Sequence, residues 1–309
     1  MVSKLSMAAC TLAGTCFLAV AASAGVSLPA SPEAQSGQLL SGEIEARQIE
    51  PAGAASAQLL RIAPRGTRPF DKSYREWVAA WTKWAAETKG SAHPLVGTTE
   101  DCSAGQKGRV WFLGGDFLGS GQPIERDCTI PEGTALFIAL LPEFWLSTPE
   151  VACITADPWY KATPKDEEFA LFREQIINAI ERPKPIRTLS LRLNGKSAGD
   201  LRKFFFKSTI FRARIPEDSF FDALGICPEN IPPVVTRPDI AWGFYVFLRP
   251  LPAGRYTLRW KADADFIDVS PSRLRQDVTY RLRVKAGSAL ATSSSPTGEP
   301  SSPAMAGVP

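Results

Sequence analysis

Histidine is almost absent: His93 is the only one in 309 residues. That scarcity excludes metal sites built on histidine pairs and acid–base schemes that need two imidazoles. Any Ser-His-Asp or Cys-His arrangement would have to use His93 itself. It lies in the loop sequence Gly90-Ser91-Ala92-His93-Pro94, and no Gly-x-Ser-x-Gly turn is present to present a serine to it. It reads as a loop histidine with a local hydrogen bond, dispensable for function.

Phosphate and dinucleotide loops are missing as well. Gly195-Lys196-Ser197 ends like a phosphate-binding loop, but the glycine needed five positions earlier is Ser190. Gly114, Gly115, Gly119 and Gly121 lead toward another extended segment, not toward the helix N-terminus that a dinucleotide site needs. They read as the loop of a hairpin. Asp263, Asp265 and Asp268 lack the glycine-bearing spacing of a helix-loop-helix calcium loop and read as a solvated strand exit. No cofactor and no metal site is expected.

Long apolar runs are confined to the N-terminus. Lys4, the apolar stretch Leu5 to Ala22 and the small-x-small triplet Ala22-Ser23-Ala24 have the order of a secretory signal peptide over residues 1–24. An uncleaved anchor is the alternative, because about 18 apolar residues can span a bilayer. The next candidate, Thr134 to Leu146, is short and broken by Pro142 and Glu143, so no transmembrane segment is expected in the mature chain.

Of the six cysteines, Cys10 and Cys16 fall in the signal stretch. Cys102, Cys128, Cys153 and Cys227 remain, without the paired short spacings of a zinc tetrathiolate. In an oxidising compartment they imply two disulfides. Cys102 and Cys128 bracket the expected hairpin, which pairs them and leaves Cys153 for Cys227. The formal charge is +3 for the chain and, spread unevenly, +6 over residues 61–285, a modest excess that favours solubility and weak attraction to anionic surfaces more than dedicated nucleic-acid binding, and no nucleic-acid partner is expected. Arg212 with Arg214, and Arg281 with Arg283, sit on alternate strand positions; they read as solvated faces, with an anionic-ligand patch as the sharper alternative.

What is present is a β-rich pattern. Residues 25–65 and 286–309 are rich in Ala, Ser, Gly and Pro and read as a flexible leader and a disordered C-terminal tail around a globular domain at 66–285. Ser73 and Glu76 have capping-box spacing and open a helix carrying Trp77, Trp81 and Trp84 at i, i+4 and i+7. That stripe is either the face of a helix packed on a sheet or an aromatic ligand platform. A second helix is marked by Thr163 as N-cap, Pro164, the acids Asp166, Glu167 and Glu168, and an apolar side of Phe169, Phe172, Ile176 and Ile180.

Strands are read at Val110–Leu113, Ile124–Ile130, Ala135–Leu141, a run from Thr188 ending in the turn signal Asn194-Gly195, Arg202–Lys207, Thr209–Ile215, Gly243–Leu248, Arg255–Lys261 and Val278–Val284. Helices do not alternate with these strands, so the expected fold is mostly β, a β-sandwich or jelly-roll-like core with two added helices.

Cys102, Gly105-Gln106, Gly108, Val110-Trp111-Phe112-Leu113-Gly114-Gly115, Arg126, Cys128, Pro131, Gly133 and Ala135-Leu136-Phe137 together resemble a family of uncharacterised exported bacterial proteins. The tryptophan helix, His93-Pro94, Leu193-Asn194-Gly195 and Gly243-Phe244-Tyr245 fit the same pattern. The resemblance implies the domain boundaries and export, and brings no activity or site residues.

The expected function is a secreted or periplasmic, non-catalytic binding or envelope-associated protein whose ligand or envelope partner the sequence does not name. The rival is an extracellular hydrolase of carbohydrate or another polymer, working through carboxylates that sequence does not single out. Export with cleavage after Ala24 predicts a mature protein that begins at Gly25, to be read by N-terminal sequencing of the exported fraction; an intact Met1 species in the membrane fraction would refute it.

Overall fold

The computed structural model describes residues 60–96, 102–147, 165–226, 231–266 and 272–286. The signal stretch, most of the leader and tail, Cys153, Cys227, Thr163, Pro164 and Asp268 lie outside the described residues.

The fold is mostly β, built as two stacked sheets with helices added, as the strand spacing leads one to expect. The first sheet runs in the order β1 (Val110–Leu113), β3 (Ala135–Trp145), β9 (Ile240–Leu248) and β6 (Phe205–Lys207). The second runs β2 (Ser120–Pro131), β11 (Arg273–Lys285), β10 (Gly254–Asp265), β4 (Ile186–Leu193) and β5 (Lys196–Ser197). A small ribbon pairs β7 (Arg214–Ile215) with β8 (Val234–Val235).

The first sheet is the middle layer. All nine residues of β9 and the first seven of β3 are buried, the signature of strands covered on both faces. On one face lies helix α1 (Tyr74–Glu87), started by the Ser73/Glu76 capping box that the sequence announced. Its tryptophans fill the layer: Trp77 packs on Phe137 and Phe247, and Trp81 meets Tyr245 edge-on. The second sheet covers the other face, and there the period-two pattern holds cleanly. Leu258, Trp260 and Ala262 on β10 and Val278, Tyr280 and Leu282 on β11 point inward, while the residues between them are wet or partly wet. Trp260 and Tyr280 stack with ring centroids 5.6 Å apart.

The hairpin expected between Val110–Leu113 and Ile124–Ile130 does not form. β1 pairs with β3 in parallel, and β2 crosses to the other sheet to pair with β11, also in parallel. Gly114 and Gly115 are needed for close approach at this crossover: a Cβ on Gly115 would lie 1.9 Å from the Gln276 side-chain oxygen. Arg126, buried on β2, holds the crossing by donating to the carbonyls of Gly114 and Gly115 at 3.1 and 3.3 Å, and the Tyr280 hydroxyl donates to Gly114 at 2.9 Å. The Asn194-Gly195 turn does close a hairpin, β4 to β5, with φ of 49° and 78° at its two residues.

Four other expectations shift. Arg202–Phe204 is a turn of 3-10 helix and only Phe205–Lys207 of that run is strand; of Thr209–Ile215, only Arg214–Ile215 is strand, with Phe211 making one bridge to Asp239. The leader's last residues belong to the domain, since Ile62 bridges Leu248 and Ala63 is buried, donating its N–H to Phe247. Helix α2 spans Asp166–Ala179 and buries Phe169, Arg173 and Ile177, with Phe172 and Ile176 half-buried. The Arg173 guanidinium lies 4.0 Å over Trp145 and 4.6 Å over Phe169, so a cation sits where the apolar count placed only hydrocarbon. A third helix, α3 (Phe220–Ala223), is a single capped turn.

Trp81 is 1% exposed and its indole N–H donates to the Leu113 carbonyl at 3.0 Å. Trp81→Ala should therefore cost roughly 3–5 kcal/mol, from the cavity together with the orphaned carbonyl. Urea unfolding of the two proteins measures it; an unchanged midpoint would place the indole outside the core.

Candidate functional site

Cys102 and Cys128 form a disulfide with Cα atoms 5.5 Å apart, the pairing expected, though for a different reason. No hairpin brings them together. The 102–106 segment is held instead by Trp84, whose indole N–H donates to the Ala104 carbonyl, and by Gln106, whose side chain makes both hydrogen bonds of a strand partner to Phe112, at 2.8 and 2.9 Å. The loop is thereby pinned beside β2.

The disulfide forms one rim of a cavity of about 810 Å³ on the outer face of the second sheet. Successive outward residues of β10 and β11 lie opposite one another there: Asp265 with Arg273, Asp263 with Arg275, Lys261 with Asp277, Arg259 with Thr279, Thr257 with Arg281, and Arg255 with Arg283. Toward the Asp265 end the charges cancel. Asp277 pairs with Lys261 at 2.7 Å and Arg259 at 3.3 Å, Asp263 with Arg273 at 2.7 Å, and Asp265 with Arg187 at 2.6 Å. The Arg273 hydrogen bond holds the Asp263 carboxyl below the usual range, and the Arg187 hydrogen bond does the same for Asp265. These aspartates are spoken for by arginines, in keeping with a solvated strand exit.

At the other end the balance fails. Arg281 reaches Glu125 and, at 3.7 Å, Asp127. Arg255 and Arg283 face each other directly and have no acidic partner among the described residues. Like charges directly opposite on adjacent strands repel. With Arg281, Thr257, Thr129 and Ser103 they line the cavity, a cationic concavity suited to one anionic group. Arg281 and Arg283 were marked by their alternation. Arg255 was not, because only the β10–β11 register sets it against Arg283. Arg212 lies elsewhere, paired with Asp166 alongside Arg237.

The tryptophan stripe is not a platform. Trp77, Trp81 and Trp84 are 7%, 1% and 6% exposed, and each indole N–H is satisfied by a backbone carbonyl, of Pro69, Leu113 and Ala104. His93 does lie in a loop and make a local hydrogen bond, but its ring is fully buried. It stacks edge-on against Phe117 and lies near Trp84 and Phe220. Nε2–H donates to the Ala85 carbonyl at 2.8 Å and Nδ1 accepts from the Leu95 N–H at 3.0 Å, which fixes a neutral imidazole. Burial, with the nearby Arg126 charge, lowers its pKa to about 4.

Among carboxylates that a hydrolase would use, Glu143 is set apart. It is half-buried on β3, makes no hydrogen bond among the described residues, and burial pushes it up to about 8. Asp239, buried, accepts from the Ser147 N–H and from Thr236, and burial also raises it. Asp218 and Asp222 line a smaller hollow of about 490 Å³, but Asp218 accepts from Ser91 and Asp222 caps α3, so both serve the chain itself.

His93 and Glu143 give opposite pH signatures. A histidine lowered from 6.5 to about 4 contributes stability that is complete above pH 6.5, falls as the pH falls, and is gone below 4, about 3 kcal/mol in all. A carboxyl raised from 4.5 to about 8 contributes below pH 4.5 and loses that contribution as the pH rises to 8. In urea unfolding, His93→Gln should therefore be destabilised at pH 7 with the deficit shrinking toward pH 4.5, whereas Glu143→Gln should gain on the wild type from pH 5 to pH 8. A pH-independent difference for either variant would overturn its assignment.

Comparison with family models, with curated proteins and with solved structures finds no match to this chain.

Proposed function

We propose that the chain is an exported, non-catalytic binding protein of the bacterial cell envelope, and that it holds an anionic group of its ligand at the Arg255–Arg283 cavity. The observation carrying the reading is that pair of directly opposed, uncompensated arginines at a concave surface. The aspartates of this sheet's outer face are taken up by ion pairs with neighbouring cations, whereas Arg255 and Arg283 meet at a concave surface with no acid paired to either among the described residues. Export is supported by the signal-like N-terminus and by the Cys102–Cys128 disulfide, which persists in oxidising compartments. No helix among the described residues is long and apolar enough to cross a membrane.

The hydrolase rival keeps one specific support, the raised Glu143, which is protonated at neutral pH as a general acid must be. Titration calorimetry with phosphate, sulfate and citrate at low ionic strength should detect an anion. Arg255→Ser/Arg283→Ser should weaken it at least tenfold, about 1.4 kcal/mol, while unfolding no earlier than the wild type, because the repulsion is relieved. Equal affinity in the variant would sink the site. Cleavage of a polysaccharide by the wild type that Glu143→Gln abolishes would put the hydrolase in its place.

A further inference from the structure

A second concavity, on the open edge of the sandwich, carries more uncompensated charge than the first. Residues 60–63 run along the free edge of β9, with Ile62 bridged to Leu248 and the Arg249 N–H donating to the Arg61 carbonyl at 3.1 Å. The segment 198–204, which follows β5 of the other sheet, faces them. Between the two is a cavity of about 810 Å³ lined by Arg61, Arg65, Lys203 and Arg249. Through Arg65 and Lys203 it continues into a second hollow of about 470 Å³ that adds Arg182, Lys184 and Arg202.

Two acids line this track, and both are taken. Glu181 pairs with Lys184 at 3.4 Å and Asp200 with Arg202 at 3.9 Å. Arg61, Arg65, Arg182, Lys203 and Arg249 have no acidic partner among the described residues. Two of the five are steadied from beneath: the Arg65 guanidinium lies 5.3 Å over the Phe206 ring and the Lys203 ammonium 5.7 Å over Phe204. Leu60, Ile62 and Pro64 supply an apolar wall.

We infer that this groove binds a linear acidic polysaccharide. Several cations in file along a track suit a chain with charges at intervals better than a single small anion. Four of the five are arginines, whose planar forks match carboxylate and sulfate groups in pairs of hydrogen bonds. The apolar wall suits the C–H faces of sugar rings. A single-stranded nucleic acid would need a run of exposed aromatic rings for its bases, whereas Phe204 and Phe206 are buried and roofed by cations and the half-buried Phe205 at the second hollow packs edge-on against Phe244. A flat anionic bilayer does not enter a concave track between two sheet edges. The inference is independent of the Arg255–Arg283 site and rests on the export reading only for where such a chain is met.

Heparin, as a sulfated chain, and polygalacturonate, as a carboxylated one, are the probes, titrated into the full chain at rising salt. The wild type should bind at least one of them, with affinity falling steeply as salt rises. Arg61→Ser/Arg65→Ser/Arg249→Ser should weaken that binding tenfold or more and flatten the salt dependence, with a cooperative unfolding transition lowered by no more than the lost Arg65–Phe206 contact, because all three side chains are exposed. Arg255→Ser/Arg283→Ser, which removes the small-anion site, should keep the greater part of the polymer affinity and its steep salt dependence. Loss of polymer binding in the latter variant alone would overturn the groove and leave the other site standing. Wild-type affinity in the triple variant, no binding of either polymer, or tighter groove-dependent binding of single-stranded oligonucleotide or of phosphatidylglycerol vesicles would each overturn the inference.

Discussion

The contact between α1 and β9, made by Trp77 and Trp81 on one side and Tyr245 and Phe247 on the other, sets the positions of the other layers. Because β9 is buried along its whole length, it requires a cover on each face; α1 and α2 both pack on β9, and the second sheet reaches the same layer through β3. Tyr74 ties the arrangement further: its hydroxyl donates to the Ala63 carbonyl and accepts from the Phe247 N–H, while its ring stacks on Phe206 at 4.2 Å. One side chain thus joins the helix, β9, β6 and the segment that walls the basic groove.

Both basic concavities are consequences of this stacking. Only one face of the second sheet is covered, so its outward side chains must be polar, and most solve the problem by pairing across strands. Arg255 and Arg283 are a place where the pairing stops at a concave surface, next to a loop fastened by the disulfide. The groove arises where the middle sheet's edge is completed by residues 60–63 and the other sheet's edge turns at β5. Sheet edges need cover or charge to avoid pairing with another chain, and a row of arginines provides it while leaving cations available to an anion.

Polar side chains serve the scaffold elsewhere. Gln106 and Gln276 each take the place of a missing strand partner, Gln276 by accepting from the Asp116 N–H at 2.8 Å and donating to its carbonyl at 2.6 Å. His93 joins the end of α1 to the loop after it. None of this is visible as a motif, since a side-chain amide acting as backbone has no spacing rule.

The sequence by itself determined the local features: the Ser73/Glu76 cap, the helical tryptophan spacing, the Asn194-Gly195 turn and the alternation on β10 and β11. Each depends on neighbours a few residues apart. Tertiary structure alone decided that the Val110–Leu113 and Ile124–Ile130 strands part company between two sheets, that His93 is a core residue, and that Arg173 lies buried over Trp145. It also decided which cations share a concavity. Arg255 meets Arg283, and Arg61 meets Arg249 and Lys203, across long separations in the chain, through strand register and sheet stacking. Long-range pairings of this kind are set by how buried faces fit together, and no local pattern encodes the fit.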